Sequence, residues 1–420
     1  MLYKPKIQIN GGRKLKGEIK IQGAKNSLLP IAAGAMLCNK GECNLLNAPD
    51  ISDTYVVAEI INELCGRAFF KDNVLTIKSD VCKSEISDDN SRKIRSSIIF
   101  AGAILGRNGE CELSMPGGDT IGRRPIDLHL SAFEQMGVRQ LDAMGRIYLT
   151  AENGLRGATI PLSFPSVGVT ENIMLAGCLA KGTTVIKNAA REPEIIDLAN
   201  FLNKCGAVVQ GAGSSTIIIE GVRELTGCDY TIMPDRIVTA TYLLAAAVTK
   251  GELLLHNSNA NDLDAVIFVL GQMGCNVKIY DNKIYIYAPD KLKSINIIQT
   301  MPYPGFPTDC QAITMAGLCL ADGVSHFYET IFDDRFRHVD SLNRMGANIR
   351  IHLDTAIITG VKNLYGARVS TTDLRGGAAL VLAALAAKGK TIIEEVHHID
   401  RGYENLEKVL RLVGAEIERV

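Results

Sequence analysis

Cys178 to Ile186 reads CLAKGTTVI: the tail of a small-residue helix, a glycine, then the start of a β-branched strand. The same junction recurs as AMLCNKGECNLL (35–46), ILGRNGECELS (104–114), AAVTKGELLL (246–255), CLADGVSHF (319–327) and LAAKGKTII (385–393). Its glycines stand at 41, 109, 182, 251, 323 and 389, so successive intervals are 68, 73, 69, 72 and 66 residues. A second series, Gly66, Gly137, Gly206, Gly274, Gly346 and Gly414, ends another amphipathic helix, as in FEQMGVRQL (133–141), LNKCGAVVQ (202–210) and LNRMGANIR (342–350). Glycine there is expected as a left-handed helix C-cap. Self-similarity at a fixed period signals a repeat architecture, and six units of about 70 residues account for the whole chain. Each unit reads strand, helix, strand, helix, strand, strand.

The first and fourth units split the six into two groups of three. IKIQGAKNSLLPIAAGAML (19–37) and YTIMPDRIVTATYLLAAAV (230–248) both pass from a strand through a special loop into an apolar helix. The last unit reaches Val420 without its final strand, and the segment Lys6–Ile21 can supply one. The expectation is an α/β chain of two three-unit domains. One covers 23–233, the other 1–22 plus 234–420, with a hinge near 22 and 233. Ligand sites favour such interdomain clefts.

Composition narrows the function. Lys plus Arg number 45 and Asp plus Glu 46, so the formal net charge is −1. That leaves no global electrostatic footprint for nucleic acid or an anionic membrane, and any anion site must be local. Trp is absent, which argues against a stacking platform for single strands. The longest small-apolar run, Ala378–Ala387, is too short to cross a bilayer. Met1–Gly12 is polar and shows no secretory apolar core. A cytoplasmic protein with neither nucleic-acid nor membrane partner is expected. The eleven cysteines form no CxxC pair and no His/Cys cluster at zinc spacing. They read as free, buried thiols, and neither a metal nor an organic cofactor is expected.

Several residues have the chemistry for anion binding. The loop Met115–Pro125 (MPGGDTIGRRP) holds Asp119, Arg123 and Arg124 among glycines and prolines; it reads as a solvated turn or as a lid over an anion. Lys25 and Asn26 precede an apolar helix, where N–H groups attract phosphate, although Asn26 alone suits a plain N-cap. Arg95 opens another apolar helix. Arg335, Arg375 and Arg401 offer forks for carboxylate or phosphate, yet each follows or nears an acid (Asp334, Asp373, Asp400) and fits a local structural pair equally well. Asp309, set among three prolines before an apolar helix, reads as an N-cap or a placed carboxylate.

QGAKNSLLPIAAGAML (22–37), PGGDTIGRRPIDLHL (116–130), YPGFPTDCQA (303–312), TDLRGGAALVLA (372–383) and HIDRGYE (398–404) closely resemble the UDP-N-acetylglucosamine 1-carboxyvinyltransferase family, in family order from Lys6 to Val420. The resemblance implies the inside-out α/β barrel of the enolpyruvyl transferases, two domains of three repeated units each. It implies transfer of the enolpyruvyl group of phosphoenolpyruvate to the 3′-hydroxyl of UDP-N-acetylglucosamine, by addition and then elimination of phosphate, with no cofactor. Matching positions imply that Lys25 and Asn26 touch both substrates. Arg95, Arg124, Pro125, Ile126, Asp127 and Leu128 would hold the nucleotide, with Ser166, Val167 and Gly168 at the diphosphate. Asp119 would be the general acid and Asp309 would take the hydroxyl proton. Arg375 and Arg401 would bind the anionic groups of phosphoenolpyruvate, and Ile331, Arg335 and Asp373 complete the set.

Three positions depart from the family. Most members have Cys where this chain has Asp119, and that Cys is the target of the epoxide fosfomycin. Phe164 stands where several members have Lys. Val238 stands where members usually have Glu after DRI. Two rival readings follow: the related transferase acting on shikimate 3-phosphate, and a non-catalytic UDP-sugar-binding paralogue.

Overall fold

The computed structural model describes residues 4–64, 66–79, 83–114, 126–143 and 146–420. They divide into two compact units, one drawn from residues between 23 and 233, the other from residues up to 22 together with 234–420. The lid-like loop 115–125, with Asp119, Arg123, Arg124 and Pro125, lies outside the described residues.

Six helices rich in Ala, Gly and Leu form the two cores. In the 23–233 unit they are α1 (Lys25–Ala35), α2 (Phe100–Asn108) and α3 (Val167–Cys178). In the other unit they are α4 (Arg236–Thr249), α5 (Gln311–Leu318) and α6 (Leu374–Ala386). Every residue of α4 and α5 is buried. A helix apolar on all sides must be enclosed, and here each helix packs against the two others of its unit. Small residues let the backbones approach: a Cβ on Gly102 of α2 would lie 2.4 Å from the Asn172 carbonyl oxygen of α3.

The sheets lie outside these helices, with one face buried and one in water. Thr216–Glu220 and Lys283–Tyr287 both alternate buried and more exposed positions. A single topology repeats. Thr159–Pro161 runs parallel to Thr183–Lys187, which pairs antiparallel with Thr216–Glu220, itself antiparallel to Val208–Gln210. Ile297–Gln299, Val324–Tyr328, Thr355–Thr359 and Asn348–His352 follow the same order.

The chain ends complete this pattern. Ile7–Asn10 lies antiparallel between Lys390–Glu394 and Glu416–Arg419, with Ile7 opposite Ile393 and Arg419. Lys16–Lys20 runs parallel to Glu252–His256 in the sheet of the fourth repeat. Asp229–Thr231 likewise joins the first repeat, parallel to Cys43–Leu46. The second repeat departs: its sheet has three strands, Glu110–Ser114, Arg146–Thr150 and Arg139–Ala143, and a bridge from Glu85 to Glu112. Among the described residues no helix is long and apolar enough to cross a membrane.

The second glycine series is left-handed at all six positions, with φ between 90° and 105°. The first series breaks at Gly251. There Lys250 takes the left-handed conformation (φ 55°), and Gly251 instead passes the main chain of Leu15, whose carbonyl oxygen would lie 2.3 Å from an added Cβ. Two substitutions separate these roles. Gly206→Ala, with open space around it, should cost about 1–2 kcal/mol in urea unfolding through φ strain alone. Gly251→Ala should cost more, about 3 kcal/mol, because backbone must shift; equal losses would remove the close-approach explanation.

Candidate active site

Asp309 sits in a single 3-10 turn, Thr308–Cys310, directly before α5. Cys310 occupies the cap position of α5, so Asp309 is not its N-cap. Its carboxylate bridges two guanidiniums: Arg335 donates to Oδ1 at 2.7 Å and Arg375 to Oδ2 at 3.0 Å. The Arg335 and Arg375 side chains are 4% and 5% exposed, whereas Asp309 keeps 26%, so the carboxylate is the accessible end of the cluster. Burial alone would push the Asp309 carboxyl up. The guanidiniums of Arg375 and Arg335 outweigh it and hold the group far below the usual carboxylate range.

Neighbours fix each member. Asp373 is the N-cap of α6, accepting from the N–H groups of Arg375 (3.0 Å) and Gly376 (2.9 Å), and so it sets where Arg375 emerges. The Arg375 guanidinium also donates to Tyr403 Oη at 3.4 Å, and that hydroxyl lies 2.9 Å from Thr241 Oγ1 on α4. Arg335 stacks over Phe332 at 5.1 Å. Glu329 accepts from Thr300 Oγ1 and Thr308 Oγ1, both at 2.9 Å, and from the Ile331 N–H at 2.9 Å. One buried carboxylate thus holds both the Asp309 turn and the Ile331 loop. His338, buried near Asp373 and Arg335, is pushed down to about 4 by burial against the opposing pull of Asp373, and it stays neutral at neutral pH.

The guanidiniums of Arg335 and Arg375 do not turn to their sequence-adjacent acids. Asp334 pairs with Arg337 at 2.5 Å, Asp373 caps a helix, and Asp400 turns to Arg419 at 2.6 Å. Arg335 and Arg375 converge instead on Asp309, 26 and 66 residues away. Arg401 ends the turn His397–Asp400 and is half-buried. Gln22 holds the following residues, donating to the Gly402 carbonyl (3.1 Å) and accepting from the Glu404 N–H (2.8 Å).

The 23–233 unit carries its own cluster. Lys25 is the first residue of α1 and its Nζ lies 2.8 Å from Asp53; their side chains are 8% and 2% exposed. Ala24, not Asn26, holds the N-cap position, and Asn26 is the second residue inside the helix. Ser27 hydrogen-bonds Asp197, which also accepts from Tyr230 Oη (2.6 Å) and the Met233 N–H (3.2 Å), so the start of α1 is fixed from below.

Ser166 caps α3 through its main chain, and Val167 and Gly168 form its first turn. An added Cβ at Gly168 would lie 3.4 Å from His129 Cε1. Asn172 ties this corner together: its side-chain nitrogen lies 2.8 Å from His129 Nδ1 and 3.0 Å from the Ile98 carbonyl, while its oxygen accepts from Gly102 N–H at 2.8 Å. Through that hub, Ser166–Gly168 adjoins the helix Asp127–Gln135, preceded by Ile126 and including Leu128, and the turn Arg95–Ile99. The backbone of Arg95 opens this turn; its side chain lies outside the description. Phe164 is 40% exposed, whereas Val238 is fully buried in the α4 core.

Sequence reasoning missed Asp53, His129, Asn172, Glu329 and Tyr403. Each has a partner distant along the chain, even Glu329, which holds Thr308 as well as the nearby Ile331, so local spacing does not reveal the pairing. Asp53, a carboxylate at the start of an otherwise amphipathic helix, left the only visible trace, and it reads there as an ordinary first-turn acid.

Comparison with known proteins gives the relationship. Residues 9–410 match the EPSP synthase (3-phosphoshikimate 1-carboxyvinyltransferase) family. The chain is 47% identical over 416 residues to UDP-N-acetylglucosamine 1-carboxyvinyltransferase 2 of Caldanaerobacter subterraneus subsp. tengcongensis, covering 99% of each protein. It is 46% identical over 419 residues to the protein of the same name from Carboxydothermus hydrogenoformans, again covering 99% of each. Among solved structures it is similar to the enolpyruvyl transferase NikO from Streptomyces tendae, with a TM-score of 0.89, 26% identity and 99% of each chain covered. EPSP synthase from Acinetobacter baumannii shares the fold at a TM-score of 0.75 and 18% identity over the whole of both chains. The repeat, the helices enclosed by sheets and the full-length identity agree: this chain belongs to the enolpyruvyl transferases and, among them, to the UDP-N-acetylglucosamine 1-carboxyvinyltransferases.

Proposed function

We propose that this transferase moves the enolpyruvyl group of phosphoenolpyruvate to the 3′-hydroxyl of UDP-N-acetylglucosamine and releases phosphate, the first committed step of peptidoglycan synthesis, in the cytoplasm. The observation that carries the reading is Asp309 held by Arg335 and Arg375, a carboxylate kept ionised at the centre of a ready anion site. In addition, Asp119 delivers a proton to the methylene carbon as the 3′-oxygen bonds to C2, and Asp309 takes the hydroxyl proton. In elimination, the new methyl group gives a proton back to the Asp119 carboxylate as the C2–O bond to phosphate breaks and phosphate leaves. Lys25, Arg375 and Arg401 neutralise the carboxylate and phosphate of phosphoenolpyruvate. Asn26, Arg95, Arg124 to Leu128, Ser166 to Gly168, Ile331, Arg335 and Asp373 bind and orient the two substrates.

A carboxylate pinned by two arginines is a weak base. Substrate anions compete for the same forks, and drawing Arg375 away lets the Asp309 basicity rise toward its usual value. Substrate binding thereby creates the base it needs. Asp119 faces the reverse requirement. A free Asp has a pKa of about 3.9, so desolvation and a phosphate dianion must raise it before it can donate near neutral pH.

Phosphate release from phosphoenolpyruvate should depend on UDP-N-acetylglucosamine, should not occur with shikimate 3-phosphate, and should vanish in Asp119→Ala. Release with shikimate 3-phosphate would reverse the substrate assignment; tight nucleotide-sugar binding without release would make the chain a binding paralogue. Asp309→Asn should lower kcat by about 100-fold or more. Because the folded pKa of Asp309 is depressed, its ion pairs stabilise fully above the unfolded value and fade as pH falls through the folded one. The stability difference between wild type and Asp309→Asn should therefore stay flat from about pH 8 to 5 and shrink only in stronger acid. A difference that stays flat into strong acid, or that grows as pH falls from about 7 to 5, would show that the carboxylate is not held down. Brief fosfomycin treatment should leave the rate unchanged, since a carboxylate forms no thioether, and Asp119→Cys should become sensitive. Stoichiometric inactivation of the wild type would refute this.

A further inference from the structure

The nine described cysteines are all free thiols, and they are not evenly spread. Three of them, Cys38, Cys43 and Cys205, are buried with their sulfurs all within 4.8 Å of one another. Cys38 and Cys43 Sγ are 3.9 Å apart, and Cys205 Sγ lies 3.5 Å from the sulfur of a fourth, half-buried thiol, Cys228. Among the described residues no other three His, Cys, Asp or Glu side chains gather in this way. All four belong to the 23–233 unit.

We propose that Cys38, Cys43, Cys205 and Cys228 form a structural site for a thiophilic d10 cation such as zinc. A tetrahedral zinc with sulfurs at about 2.3 Å has sulfur–sulfur edges of about 3.8 Å, and the Cys38–Cys43 and Cys205–Cys228 separations lie on either side of that value. Cys38, Cys43 and Cys205 supply three ligands as they stand, and the half-buried Cys228 beside Cys205 would turn inward as the fourth, which closes a structural site with no open position for water. On binding, each thiol releases its proton to solvent and coordinates as a thiolate, so no oxidant or reductant is involved. The site is independent of the enolpyruvyl reading.

Its placement supplies a reason. Cys38 and Cys43 bracket the turn between strands Cys38–Lys40 and Cys43–Leu46; Cys205 ends the helix Pro193–Lys204, and Cys228 precedes the strand Asp229–Thr231. The first and third repeats of the unit meet here, and their main-chain pairing is thin. Leu225–Thr226 pairs with Cys38–Lys40 over two residues with a shifted register, and Asp229–Thr231 with the next strand over three. A cation held by all four sulfurs would close a very long loop at that seam, where a crosslink restricts the unfolded chain most.

The test uses the full-length protein, prepared under reducing conditions without chelator and reconstituted with zinc. Elemental analysis should find about one zinc per chain after desalting, and cobalt substitution should give the visible bands and sulfur-to-cobalt charge transfer of a tetrahedral thiolate site. Cys228→Ser and Cys43→Ser should lose the metal and melt at a lower temperature, whereas Cys275→Ala, in the other unit, should retain it. If the variants fail to fold, the cobalt spectrum of the wild type and metal release by a mercurial, alongside the lost thiol protection, decide alone. No retained metal in the wild type, retention in the cluster variants, or bridges between Cys38 and Cys43 or between Cys205 and Cys228 in mass spectra under native reducing conditions would each overturn the proposal.

Discussion

Close packing of three enclosed helices governs each unit. Helices such as α4 and α5 have no solvent face, so every side must offer either a small residue or a shape that fits its neighbour. Alanine and glycine runs follow from that demand, and so does the outward placement of the sheets, whose amphipathic strands have only one apolar face to bury. The same demand places the chemistry. With the helix flanks committed to packing, reactive groups are left to the helix starts and the turns before them, where Lys25, Ser166, Asp309 and Arg375 are found.

The electrostatics of Asp309 follow from this architecture. Arg335 and Arg375 are nearly enclosed, and an enclosed guanidinium without a partner is costly, so the cluster needs an anion. Asp309 is that anion. Asp373, Tyr403 and Glu329 hold the geometry without occupying the exposed oxygen edge. The cluster is held by its own neighbours, and in the proposed reaction that order would lower the entropy lost on binding.

Much of this was legible in the sequence because repetition amplifies weak signals. Twelve glycines at two offsets fixed the element order, and the unpaired end of the last repeat pointed to an N-terminal strand. Gly251 marks the limit: its neighbour Lys250 takes the left-handed turn, since the glycine is needed where the Leu15 backbone passes. Side-chain partnership was far less legible. Arg335 and Arg375 both stand near acids in sequence, and both choose a distant one. A helix start presents the main-chain N–H groups to the adjacent Asp373, so that carboxylate is already taken. The four clustered cysteines escape notice for a related reason, because they stand far apart along the chain and meet only where the first and third repeats pair.

The strand Ile7–Asn10 has a consequence for synthesis. It leaves the ribosome long before both its partners, Lys390–Glu394 and Glu416–Arg419. Residues 23–233 contain every strand their own sheets require and can assemble while translation continues. The other unit cannot close this sheet until Lys390–Glu394 and Glu416–Arg419 have been made. Until then a segment with apolar Ile7 and Ile9, destined for the interior of its sheet, waits unpaired, suited to chaperone holding or to pairing with a neighbouring copy.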